Sequence, residues 1–157
     1  MALGLVMTVG GTLLTVHRYR TEVPAGFQRI SFTRDISRKG IGFAERDGVP
    51  SAVIPQDVMA LVGKKIYVKG FMYPGSRENY ITQFVLCKDN GQCCFGGEPA
   101  LQDMIGIQLQ DDNTTDFTPT LVGVAGTLEL NENYQGGKVE PLYLLKAEQV
   151  AEALTSL

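Results

Sequence analysis

The sequence predicts a mainly β protein, a small OB-like Greek-key barrel with one short helix and a C-terminal helix, with a β-sandwich as the alternative. Three observations lead there. Eighteen glycines and seven prolines in 157 residues supply the turns that short strands need. Several short runs alternate polar and apolar residues, or are continuously apolar and bounded by turn residues. Glycines also interrupt several of those runs, Gly70 among them, where a small closing barrel must bend. The length suits one compact domain, and 44% hydrophobic residues against 20% charged can bury a core.

The elements follow in order. Residues 1–20 begin with sixteen residues that carry no charged side chain (MALGLVMTVGGTLLTV), and residues 21–27 (TEVPAGF) read as a linker. The domain is expected over 28–157. Gln28 to Phe32 (QRISF) alternates and reads as a strand. Residues 34–53, with Gly40, Gly42, Gly48 and Pro50, read as loop with room for a short strand. Pro55 to Gly63 has the marks of a compact helix: proline at its start, Asp57 in the first turn, glycine past the end, and Val58, Leu61 and Val62 inward. Lys64 to Phe71 (KKIYVKGF) is the clearest strand. Ile66 and Val68 face one side, Lys65, Tyr67 and Lys69 the other, and Gly70 marks a bend. Strands follow at Ile81–Cys87, Met104–Leu109, Leu121–Leu130 and Glu140–Leu145, with polar connections at 111–119 and 131–138. Ala147, Val150, Ala151 and Leu154 then keep the i, i+3, i+4, i+7 spacing of a final helix.

The formal charge of −3 argues against a protein that works mainly by wrapping nucleic acid. The uncharged start is long enough for a signal-peptide core and short of a full span of about 20 residues. Arg18 and Arg20 follow it and no cation precedes it, the reverse of a signal peptide. A membrane anchor and a first strand of the domain are both open readings of this segment.

Asn90-Gly91, in KDNGQCCFGGEP, is the strongest short hairpin signal in the chain, because both central residues of a type I′ turn need positive φ. A turn centred there sets Cys87 opposite Cys94 and Lys88 opposite Cys93, so a Cys87–Cys94 bridge fits the spacing of directly opposed residues. If the second arm breaks from strand geometry at Cys94-Phe95-Gly96-Gly97, Cys93 and Cys94 could instead turn to one site and hold a soft metal, zinc or copper. The usual four-donor spacing of structural zinc is missing, and the single histidine, His17, lies in the N-terminal segment. Core packing, a bridge, metal binding and thiol redox chemistry at Cys93 and Cys94 all stay open.

GKKIYVKGFMYP at 63–74, ITQFVL at 81–86 and DNGQCCFGG at 89–97 resemble the core pattern of a bacterial family of unknown function. The resemblance spans about residues 28–147, and its most specific part is the Cys-Cys-Phe-Gly element. It implies a small envelope protein, extracytoplasmic and anchored by an N-terminal segment, with protein partners at the membrane. Some relatives accompany metal-transport systems, so metal handling is implied too. It carries Cys93 and Cys94 but not Cys87. No cysteine suited to lipid attachment lies near the start.

Lys65, Tyr67 and Lys69 interleave cations with a ring, the pattern by which OB barrels stack and track single-stranded nucleic acid. The acidic total and an envelope location make nucleic acid an unlikely ligand, and a solvated strand face the plainer reading. Asp111, Asp112 and Asp116 lack the glycine and distal glutamate of a calcium loop and read as a polar turn. For catalysis the domain holds no histidine to serve a nucleophile, and no phosphate-binding glycine loop. The one enzyme-like pairing is a Cys93 thiolate beside Lys88. The sequence therefore points to a non-enzymatic binding or accessory module. Its alternatives are a thiol-redox protein and a nucleic-acid module.

Overall fold

Ile66, Val68, Leu86, Ile105, Ile107, Val124, Leu128 and Leu145 are wholly excluded from solvent, and they come from five different strands. The structure, a computed structural model, describes residues 23–91, 97–136 and 139–153. Its strands are β1 (Gln28–Arg29), β2 (Gly42–Arg46), β3 (Val49–Val53), β4 (Lys65–Met72), β5 (Gln83–Cys87), β6 (Met104–Leu109), β7 (Leu121–Leu130) and β8 (Tyr143–Glu152). The main sheet runs β1-β4-β5-β6-β8-β7, and β4 also pairs with β7. Strands β4 to β8 thus close a five-stranded barrel. Its β6–β8 contact is parallel, while β4–β5, β5–β6, β7–β8 and the closing β4–β7 contacts are antiparallel. This is the expected OB-like Greek-key barrel. No helix among the described residues is long and apolar enough to cross a membrane. The uncharged N-terminal stretch lies outside the described residues.

β6 and β7 match the predicted runs residue for residue. The bend expected at Gly70 lies where β4 passes from β7 to β5, with Phe71 paired to Leu121 on one side and Cys87 on the other. A side chain at Gly70 would strike the Cys87 carbonyl oxygen at 2.6 Å.

The C-terminal helix is not formed. Residues 143–152 are the last strand, paired with β7 along its length. The register runs Ala125↔Gln149 and then Gly126↔Ala147, which leaves Glu148 as an extra residue. A bulge of this kind inverts the alternation. Tyr143, Leu145 and Ala147 are buried at a spacing of two, and Val150 then meets the core three residues later. That single i, i+3 step is what imitates a helix in the sequence.

Three local expectations also change. The strand at 28–32 stops after two residues, because Ser31 caps a π-helical turn over Phe32–Ile36. The Ser31 hydroxyl accepts from the Arg34 amide at 3.3 Å, and the Asp35 carboxylate accepts from the Ser31 amide at 2.7 Å. The helix expected over Pro55–Gly63 shortens to α1 (Gln56–Met59), with Val58 fully buried and the chain leaving through i+3 turns. The stretch read as loop contains a complete hairpin, β2–β3. Its two-residue turn is Asp47-Gly48, with φ of 55° and 78° and Arg46 paired to Val49. Positive φ at both central residues makes this the type I′ turn.

Candidate functional site

Asn90-Gly91 is not a hairpin turn. Neither residue has positive φ, and both are helical. The cause is topological. At Cys87, β5 is flanked on one side by Phe71 of β4 and on the other by Met104 of β6, so no ladder edge remains for a returning arm. Cys87 is 1% exposed and disulfide-bonded. Its proposed partner Cys94, and the candidate metal ligand Cys93, lie outside the described residues. Among the described residues no three His, Cys, Asp or Glu side chains are grouped to hold a metal.

Immediately after Cys87 the chain is clamped by Asp103. The Lys88 amide donates to the Asp103 carbonyl at 3.0 Å, and Lys88 Nζ reaches Asp103 Oδ2 at 3.4 Å. Ser37 Oγ donates to the other carboxylate oxygen. Asp103 is 6% exposed, so its charge is offset by these partners rather than by water. Asp103 thus ties three segments distant in sequence: the turn after the π-helical segment, the end of β5 and the start of β6.

Above this clamp lies a cleft of about 450 Å³, lined by Arg29, Ile30, Ser31, Phe32, Thr33, Arg34, Lys69 and Lys88. The fold assembles it from three separate pieces. β1 lies parallel to β4, with Arg29 beside Tyr67, and the Ile30 amide donates to the Tyr67 carbonyl at 3.0 Å. The Ser31 cap then wraps residues 31–34 around the opening. Lys69 stands on the outer face of β4, and Lys88 leaves the end of β5. Among the described residues, four cations line the cleft and no lining residue is acidic. Three carboxylates of the described residues, all outside the lining, pair with Arg34 and Lys88. Asp35 is bound to Arg34 Nε and Nη2 at 2.8 and 3.0 Å, and the Arg34 hydrogen bond holds the Asp35 carboxyl below its ordinary range. Asp103 and Asp89 pair with Lys88.

The proposed nucleic-acid face of Lys65, Tyr67 and Lys69 is broken up. Tyr67 is 4% exposed, so its ring offers no stacking surface. It lies across β7 in a space left by Gly123, where any Cβ would overlap the Tyr67 hydroxyl and ring. Lys65 pairs with Glu148 at 2.8 Å and sits 5.2 Å from the centre of the Phe27 ring. Only Lys69 joins the cleft. Arg29 and Arg34 carry no signal of their own in the sequence, because Arg29 lies within an apparent strand and Arg34 just after it, and nothing local links them to Lys69 or Lys88. The Asp111-Asp112 segment is the polar turn expected, with φ of 56° and 57°, and Asp116 accepts from the Tyr80 amide at 3.1 Å.

With the geometry in place, the barrel can be set against known structures. It is similar to the crystal structure of a DUF3299 family protein from Pseudomonas aeruginosa, with a TM-score of 0.59 and 14% identity, over 83% of this chain and 98% of that one. At that identity the likeness shows a shared fold. A proposed aspartyl-tRNA synthetase from Leishmania major matches at a TM-score of 0.41 and 11% identity, over 94% of this chain and 27% of that one. No protein-family pattern and no curated protein matches the chain. A β-barrel domain of unknown function is the description these findings support.

Proposed function

We propose that this protein is an accessory binding module that takes an oxyanion-bearing ligand, a phosphate or carboxylate group, in the cleft between Arg29, Lys69 and Lys88. The observation that carries this reading is the lining itself: cations from three separated segments converge on one concavity, with no acid among the described residues that line it. Guanidinium and ammonium groups form charge-assisted hydrogen bonds to such oxygens, about twice as strong as neutral ones. An envelope location and a membrane tether through residues 1–20 belong to the same proposal, on the strength of the uncharged first sixteen residues and the Cys-Cys-Phe-Gly resemblance.

Zinc or copper binding at Cys93 and Cys94 ranks below it. A bridge within the chain at Cys87 uses two of three cysteines and leaves one thiol, short of a paired-thiolate site.

The test is isothermal titration of the full chain with inorganic phosphate, pyrophosphate and citrate. Saturable, salt-sensitive binding of at least one of them is expected, weakened about tenfold by Arg29→Gln or Lys69→Gln with the melting temperature held. Absence of binding to all three, or binding indifferent to both substitutions, overturns the proposal.

A further inference from the structure

The β2–β3 hairpin stands apart from the barrel as its own two-stranded sheet. Every residue of β2 is exposed. Apolar side chains are nevertheless exposed on both of its faces. Val49 and Val53 are 61% and 49% exposed on the face that carries Ala44, and Phe43 is 66% exposed on the other. A lone two-stranded ribbon is at best marginally stable in water, and an apolar one exposes backbone and side chains that a further strand would cover.

The two outer edges are not equivalent. In a two-residue hairpin the pair flanking the turn, Arg46 and Val49, exchanges both backbone hydrogen bonds. Alternation then makes Ala44–Ser51 and Gly42–Val53 bonded pairs, and directs the backbone groups of Glu45, Phe43, Pro50 and Ala52 outward. On β3 one of the two outward positions, Pro50, is a proline with no N–H to donate, which leaves Ala52 as the one outward donor and blunts that edge. On β2 the outward residues Phe43 and Glu45 have no backbone partner among the described residues. The hairpin is thus blunted on one side and open on the other.

We propose that the open edge of β2 pairs antiparallel with the same edge of a second copy of this chain, forming a four-stranded sheet across a two-fold axis. The pattern of β2 favours a copy of itself as occupant. An outward residue must meet an outward residue, which leaves three central registers. Those centred on Phe43 or Glu45 stack two phenylalanines off-centre or oppose two glutamates. The register centred on Ala44 sets Phe43 against Glu45 of the other copy twice, and Gly42 against Arg46, so no like charges are opposed. It also brings the two Ala44 residues face to face as a non-bonded pair, where small side chains allow the closest approach. This inference is independent of the cleft.

Molar mass from light scattering over a concentration series is the first readout. The wild type is expected to pass from monomer to dimer as concentration rises. Glu45→Pro removes only an outward N–H and leaves the hairpin's own ladder intact, so it should abolish dimerisation. Phe43→Asp places like charges opposite each other at both symmetric positions and should raise the dimer dissociation constant about tenfold or more. Phe43→Lys, equally polar, opposes Glu45 and should retain the dimer. Ala44→Cys should cross-link into a covalent dimer under mild oxidation where the wild type does not, since directly opposed residues lie within disulfide reach. Unchanged circular dichroism in each variant separates these effects from misfolding. A monomer at every concentration, a dimer untouched by Glu45→Pro, or equal effects of Phe43→Asp and Phe43→Lys overturns the proposal.

Discussion

Tyr143 shows how a single atom can be a liability in a well-packed core. Its side chain is fully buried with Ile66, Leu128 and other apolar residues of the barrel core, and its hydroxyl has no hydrogen-bond partner among the described residues. An unsatisfied buried hydroxyl costs more than it contributes. Tyr143→Phe is therefore expected to raise unfolding stability by about 1 kcal/mol in denaturant titration. The same burial pushes the Tyr143 pKa from 10.0 up to about 12. The unfolded chain thus loses this proton at lower pH than the folded one, and stability should fall with rising pH from the ordinary tyrosine range to about pH 12. Two pKa units correspond to about 3 kcal/mol. Alkaline melting curves check this: the wild type should lose stability in that window by more than Tyr143→Phe does.

Among the elements, β7 and β4 are fitted to each other by a vacancy and a ring. Gly123 faces Lys69 in the ladder, and Tyr67 leans over it from two residues along β4. Gly123→Ala should destabilise the barrel by about 1–3 kcal/mol, because the ring is 4% exposed and has little room to retreat. Tyr67→Phe removes the nearest obstructing atom. A double-mutant cycle should show the alanine costing less in the phenylalanine background, and additive effects would count against this packing account. The bulge at Glu148 works at the same scale. It moves Val150 inward and frees the Glu148 carboxylate to meet Lys65 at 2.8 Å on the outside.

Across the whole molecule, Asp103 links stability to the cleft. Its carboxylate joins Ser37 and Lys88, and so fastens the segment before the barrel to the barrel itself. It also offsets one of the four lining cations. Neutralising it should therefore move two properties in opposite directions. Asp103→Asn is expected to lower stability by about 1–3 kcal/mol, since it weakens the buried Ser37 contact and leaves the partly buried Lys88 with only the more exposed Asp89 carboxylate, 3.7 Å away. Affinity for an oxyanion should rise about threefold, as the local potential becomes more positive. Calorimetry of unfolding and of binding on one sample checks both, and a parallel fall in both would remove Lys88 from the site.

Periodicity and composition alone determined the barrel strands β4 to β7, the bend at Gly70 and the mainly β character, because each is written in neighbouring residues. Two local signals misled for non-local reasons. Asn90-Gly91 has the best hairpin chemistry in the chain, yet Cys87 already has a strand on each side. The helical spacing of Ala147 and Val150 is a strand carrying one extra residue, and only the register against β7 reveals it. Asp47-Gly48 was legible as a turn but lay in a stretch whose glycines and prolines hid both arms. The cleft could not be read from the chain at all. Arg29, Lys69 and Lys88 are far apart in sequence, and closure of β4 against β1 and β5 is what brings them together. Local chemistry decides how a segment bends, whereas only the pairing of distant strands decides which side chains share one space.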